Sequence, residues 1–245
     1  MHLKYKFFKH YIMKFLFVYA VCFALVAVPE SKSYEDSFDE IIVISDLREK
    51  NISTAATSME IINSEVIERR KAQHIDTLLN TVANVNFASG ASRGRFVQIR
   101  GIGERSQFVE PINPSVGVLL DGIDISGTNG AALTLDLDRI EILRGPQGTI
   151  NGANALAGLI NLKSNRPEAI KSGKLKIGFG NYEARTIDGS YSIPISETSK
   201  FRIAVGRTLN NGFMSNDFLD RDNTNNIDES AIKSMFDWQP TDNLT

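Results

Sequence analysis

Glycine-punctuated turns that follow strand-like runs are a frequent cradle for phosphate, and the chain has two of them: Arg100-Gly101-Ile102-Gly103, and the stretch from Gly145 through Gly148 and Gly152 to Gly158. Neither carries the rest of a nucleotide site. The first continues into Glu104, Arg105 and Ser106 without the third glycine of a dinucleotide fingerprint, and the second has no Gly-Lys-Ser/Thr to hold a terminal phosphate. Nucleophile and metal chemistry depend on thiols and imidazoles, and these too are scarce. The cysteine and two of the three histidines, Cys22, His2 and His10, lie in the first 22 residues.

Those residues read as an export signal. Lys4, Lys6, Lys9 and Lys14 precede an apolar run from Phe15 to Val28 that stops at Pro29, and Ser31 and Ser33 supply the small side chains of a cleavage site after Ser33. Fourteen apolar residues are short for a helix crossing a hydrocarbon core of roughly 30 Å. Cys22 sits inside the apolar run with Val21 before it, which argues against lipidation. Removal of residues 1–33 takes five Lys and one Glu, so 22 Lys plus Arg face 28 Asp plus Glu and the net charge moves from −2 to −6. Nucleic acid is a poor partner for such a chain. His74 is the histidine left, at the start of a helix-like stretch, which is the place of a capping or surface group; no serine triad or thiolate and multi-histidine metal site can be assembled. No cofactor or metal is expected.

The elements that would position the glycines are a mixture. Ser58 to Ile62 reads as a strand. Asn63 or Ser64 then caps a helix with Glu65 and Glu68 in its first turn, and Ile75, Leu78, Leu79 and Val82 recur at helical spacing. Phe96–Ile99, Val116–Leu120, Ile140, Ile142, Leu159, Ile160 and Leu162 supply strands, with Asp121-Gly122 as a two-residue hairpin turn. The expectation is an α+β domain over residues 51–167 with a mixed sheet and long glycine-rich loops.

After Pro167 the period changes to two. Leu175, Ile177 and Phe179 alternate with Lys174, Lys176 and Gly178; Ile187, Gly189, Tyr191 and Ile193 with Thr186, Asp188, Ser190 and Ser192. Phe201, Ile203 and Val205, then Ile232, Ser234, Phe236 and Trp238, continue the pattern, so four strands are expected over 168–245. Short connections at Pro194–Lys200 and Pro240–Asn243 contrast with a long polar loop at Asn210–Ser230, as in membrane barrels. Alternation alone fits a soluble sandwich equally.

The run "RIEILRGPQGTINGANALAGLINLK" from Arg139 to Lys163, with "FVQIRGIGERSQF" upstream, resembles the plug domain of TonB-dependent outer-membrane receptors. Asn151 stands where that motif has an aromatic residue, and Ala157-Gly158 where it has a glycine pair. The resemblance implies an α+β plug followed by the antiparallel strands of an incomplete transmembrane β-barrel, in an exported, outer-membrane protein of a Gram-negative cell. It implies transport rather than catalysis: energy-coupled uptake of a scarce nutrient of the iron-siderophore, haem, cobalamin or carbohydrate class. The implied partners are the TonB periplasmic domain, outer-membrane lipid and a small-molecule cargo.

In the polar segment 34–50 the island Asp39, Glu40, Ile41, Ile42, Val43, Ile44 and Ser45 matches the TonB box by this resemblance, and is otherwise a first strand of the domain. Arg100 and Arg144 match plug arginines that pair with glutamates of the barrel wall, here expected beyond Thr245; the other reading makes them surface arginines at strand ends. Gly101, Gly145, Gly148, Gly152 and Gly158 are expected to be structural, and Ala88–Arg95 and Glu104–Asn113 to be apical loops. Barrels of this family have about 22 strands, so roughly 350 further residues are expected to complete the wall. A freestanding periplasmic plug-like binding module is the alternative.

Overall fold

The computed structural model describes residues 42–45, 48–51, 58–88, 96–104, 113–126, 133–148 and 154–240. The expected signal at 1–33, Asp39 to Ile41, Gly152 and most of both apical loops lie outside the described residues. Strands β1 (Ile42–Ser45) and β2 (Arg48–Asn51) form a two-stranded antiparallel hairpin.

The helices are short and follow the sequence signals. β3 (Ser58–Asn63) runs into α1 (Ser64–Arg69), where the Asn63 side chain accepts the Val66 amide at 3.1 Å and satisfies one of the free donors of the first turn. His74 caps α2 (Ile75–Leu79): its Nδ1 accepts the Asp76 amide at 3.3 Å. The imidazole is buried at 1% exposure rather than on the surface, because Leu133 bridges to its backbone from the far side.

β4 (Val85–Ala88) and β5 (Phe96–Ile99) make a separate antiparallel pair. Beyond β5, Arg100 and Gly101 have φ of +54° and +81°, and Ile99 bridges Ile102 across them. The same positive-φ pair recurs at Asp121 and Gly122, between β6 (Val116–Leu120) and β7 (Ile123–Asp124), as its Asp-Gly dipeptide requires. β8 (Leu137–Arg144) and β9 (Gly158–Ser164) complete a five-stranded sheet in the order β3-β8-β9-β6-β7. The β6–β9 pair is parallel and the others antiparallel, so the sheet is mixed as expected.

Even and odd positions separate the two faces of this sheet. Val116, Val118, Ile140, Ile142, Ile160 and Leu162 join Ile67, Ile75, Leu78 and Leu79 of the helices in one apolar core, each side chain contributing on the order of 1.5–3 kcal/mol by leaving water. The odd face holds a smaller cluster of Leu143, Ala155 and Leu159, and beside it a polar group. There Glu141, 1% exposed, accepts from Arg139 Nε at 2.8 Å and from Asn161 Nδ2 at 2.9 Å.

The four expected later strands are β10 (Ser172–Phe179), β11 (Arg185–Pro194), β12 (Ser199–Asn210) and, after a small hairpin, β15 (Ile227–Trp238). They form one antiparallel sheet in that order. The hairpin, β13 (Met214–Asn216) and β14 (Arg221–Thr224), lies within the long polar loop expected from Asn210 to Ser230. The final strand also starts earlier than its apolar pattern, at Ile227, because Asp228, Glu229 and Ser230 continue the ladder opposite Leu209, Thr208 and Arg207. Backbone pairing is indifferent to side-chain polarity, and an Arg207–Asp228 ion pair at 3.2 Å reinforces it.

Register assigns the faces. Leu175, Gly189, Val205 and Ile232 lie side by side across the four strands on the outer face, and the adjacent row, Lys176, Asp188, Gly206 and Ala231, lies on the inner one. Phe179 at 79% and Ile232 at 78% exposure show how bare the outer apolar face is. Among the described residues β10 and β15 are its unpaired margins.

Candidate functional site

The chemistry of this chain is concentrated where the inner face of the four-stranded sheet meets the five-stranded domain. Arg202 on β12 reaches the loop before β8 and grips Asp136 with two hydrogen bonds, Nε to Oδ2 and Nη2 to Oδ1, both 2.7 Å. The two side chains are 9% and 7% exposed, so this is a buried, bidentate ion pair. Ser190 Oγ at 3.2 Å and Glu168 at 3.5 Å accept from two further guanidinium N–H groups. Asp136 also accepts from Asn165 Nδ2 at 3.0 Å, and its backbone is held at φ +54°. From β15, Lys233 donates to the Leu135 carbonyl and to Ser164 Oγ, both at 2.9 Å.

Small residues on the inner face admit this loop. A Cβ on Gly206 would lie 2.7 Å from an Asp188 carboxylate oxygen and 3.0 Å from the Leu135 side chain, so Leu135 fills the space that glycine leaves. Nearer β10 the contacts are polar and more exposed. Glu68 of α1 receives Lys174, and Lys176 at 3.0 Å, on the same oxygen, while Gln73 donates to Thr186 Oγ1 at 3.0 Å.

The hydrogen bond from Lys174 holds the Glu68 carboxyl below its ordinary range; Lys176 adds to this, and partial burial opposes it. A carboxylate whose pKa drops on folding stabilises the fold above its unfolded value, and this contribution fades as pH falls through the lowered folded value. NMR titration of the Glu68 carboxyl carbon is therefore expected to give a midpoint below 4.5, which returns toward 4.5 in Lys174→Gln/Lys176→Gln.

The residues singled out from sequence are placed differently. Arg144 forms an ion pair with Glu60 inside its own sheet, across the Ser58–Arg144 end of the β3–β8 ladder. Its Nε is buried without an acceptor among the described residues. Arg100 is exposed in its tight turn, at the opposite end of β5 from Phe96. Gly145, with φ +109°, leads out of β8, and Gly158 is pressed against the carbonyl of Leu143. The contacts found between the two sheets have the opposite polarity to the expected ones: the cations are on the four-stranded sheet and the carboxylates on the domain it faces. Their signal was present in the alternation, since Lys174, Lys176, Arg202 and Lys233 all fall on the parity opposite to the apolar face.

The family described as TonB-dependent receptor plug domain matches residues 51–159, which spans β3 to the start of β9 and both helices. Residues 51–159 are similar to the TonB-dependent receptor plug family. The plug therefore accounts for the five-stranded domain, and the apolar-faced sheet after it is barrel wall. Relatives agree on both parts. The pesticin receptor of Yersinia pestis is 24% identical over 186 residues, which is 75% of this chain and 27% of that protein. The vitamin B12 transporter BtuB of Vibrio cholerae is 23% identical over 181 residues, 71% of this chain and 28% of that protein. Among solved structures, the ferric yersiniabactin uptake receptor FyuA of Yersinia pestis superposes with a TM-score of 0.68 at 22% identity, over 78% of this chain and 30% of that one. The chain thus spans under a third of the length of the relatives it matches.

Proposed function

We propose that the chain is the N-terminal part of a TonB-dependent outer-membrane receptor, in which a plug gates energy-coupled uptake of a scarce small-molecule nutrient. One observation carries this reading: a plug-family domain is tied by a buried Arg202–Asp136 pair to the inner face of a sheet whose other face is apolar and bare. A water-exposed module would hide Leu175, Ile177, Phe179, Ile232, Phe236 and Trp238; a wall in lipid presents them outward. The freestanding periplasmic module is disfavoured on the same ground, and cell fractionation separates the two: the transport reading puts the product with outer-membrane lipid, the module in the soluble periplasmic fraction.

The relatives' names cover pesticin, vitamin B12 and ferric yersiniabactin, and the last two support a cargo of the cobalamin or iron-siderophore class. No bond-making step is required, and the role is binding and passage. Segment Asp39–Ser45 is the proposed contact for TonB. Its part Ile42–Ser45 is already extended and, among the described residues, is paired only with Arg48–Asn51, which leaves one edge for strand addition. A peptide covering residues 34–50 is expected to bind the periplasmic domain of TonB and to lose that binding with Val43→Pro, which removes a ladder donor. Calorimetry showing no binding, or equal binding by the proline variant, removes the coupling step. Arg100 and Arg144 are proposed to pair with wall carboxylates further along the barrel, Arg144 through the side of its guanidinium that Glu60 does not occupy.

A further inference from the structure

A cleft of about 760 Å³ separates α1 and the 133–137 loop of the plug from the inner face of β10 to β12. It runs the height of these strands, from Glu168 and Ser172 at one end to Gly180 and Glu229 at the other. Midway along it the Lys174 and Lys176 ammonium groups converge on a single carboxylate oxygen of Glu68. Two cations bracketing one oxygen is the geometry of an oxyanion site, and here the oxyanion is supplied by the plug itself.

The charges facing the pair cease to oppose such a ligand once Glu68 is out of the way. Arg202 already holds Asp136 and Glu168, which leaves Lys71, Lys174 and Lys176 facing Glu68, Asp188 and Glu229 in the cleft. Departure of the Glu68 carboxylate leaves Lys71, Lys174, Lys176 and Arg202 against Asp136, Glu168, Asp188 and Glu229, so the excess negative charge of the cleft is removed and the two lysines lose their shared partner. The incumbent is also weakly seated: Glu68 and both lysines are between 39% and 57% exposed, unlike the buried Arg202–Asp136 pair. Exposed pairs of this kind exchange partners at little cost.

We propose that Lys174 and Lys176 form a carboxylate-binding site on the barrel wall, and that Glu68 occupies it as an internal stand-in which a carboxylate of passing cargo replaces. On the transport reading, the site receives cargo inside the receptor, below its outer loops, and admits it when α1 shifts.

Citrate is a suitable probe, titrated calorimetrically into the full chain in detergent micelles. Wild-type chain is expected to bind it weakly, Glu68→Gln about fivefold more tightly because the competitor is gone, and Lys174→Gln/Lys176→Gln not at all in either background. Lys174→Arg/Lys176→Arg keeps both charges and is expected to keep binding, which separates loss of the site from loss of fold. Unchanged affinity in Glu68→Gln, or citrate binding that survives removal of both lysines, overturns the proposal. Binding of pyrophosphate in place of citrate overturns the assignment to carboxylate chemistry. None of these readings uses TonB, so a failed TonB peptide experiment and a failed citrate titration are separate results.

Discussion

Replacement of Arg202 by Met is expected to destabilise the plug–wall unit by about 3–5 kcal/mol, because it strands the Asp136 carboxylate in a place that is 7% exposed. Asn165 remains as one neutral donor, which is too little to replace the two charge-assisted bonds at 2.7 Å. Taking away one member of a buried pair costs far more than taking away both. The double variant Arg202→Met/Asp136→Leu is therefore expected to recover at least half of the loss. Urea unfolding of the chain in micelles, followed on all four members of the cycle, measures the coupling. If the double variant loses the sum of the two single losses, the pair carries no coupling energy and the docking of the plug must rest on other contacts.

The second large effect concerns two glycines of one motif that behave oppositely. A methyl group added at Gly158 would lie 2.4 Å from the Leu143 carbonyl oxygen and 2.6 Å from the Ile99 side chain, with the strand of Leu143 unable to retreat because it is paired on both sides. Gly158→Ala is expected to cost about 2–3 kcal/mol, the upper part of the range for overpacking, since the obstacle is backbone. At Gly148 an added methyl meets nothing within 4 Å, and Gly148→Ala is expected to stay within about 0.5 kcal/mol of wild type. The comparison of the two melting temperatures checks both values, and equal shifts would show that the clash at Gly158 is relieved by movement of β8.

Local features were legible from sequence because their causes are local. The Asn63 cap, the apolar stripe Ile75–Leu78–Leu79, the Asp121-Gly122 turn and the inward or outward choice along β10 to β15 each follow from a few neighbouring residues. The plug motif likewise placed β8 and β9. What could not be read were partnerships between distant segments: Arg202 with Asp136, 66 residues apart, and Lys174 with Glu68, 106 residues apart. Alternation said that these cations face inward and so need a partner, but nothing in the spacing said which. Arg144 is a further case. Its motif gave no sign of Glu60, which faces Ile142 in the adjoining strand and reaches Arg144 diagonally to form an ion pair. The hairpin inside the polar loop after β12 was not legible, because it forms from Asn, Asp and Ser residues whose backbones a turn brings together.

Leu135 seated at Gly206, with Arg202 four residues before that glycine along β12, has a bearing on how the wall is assembled. Shifting β12 by a single residue against its neighbours would let the backbone form a new ladder yet swing the guanidinium to the apolar outer face and Phe201 to the inner one. The wrong pairing would forfeit both the buried ion pair and the fit of Leu135, so contacts from the facing domain favour one strand alignment where the backbone ladder by itself does not discriminate.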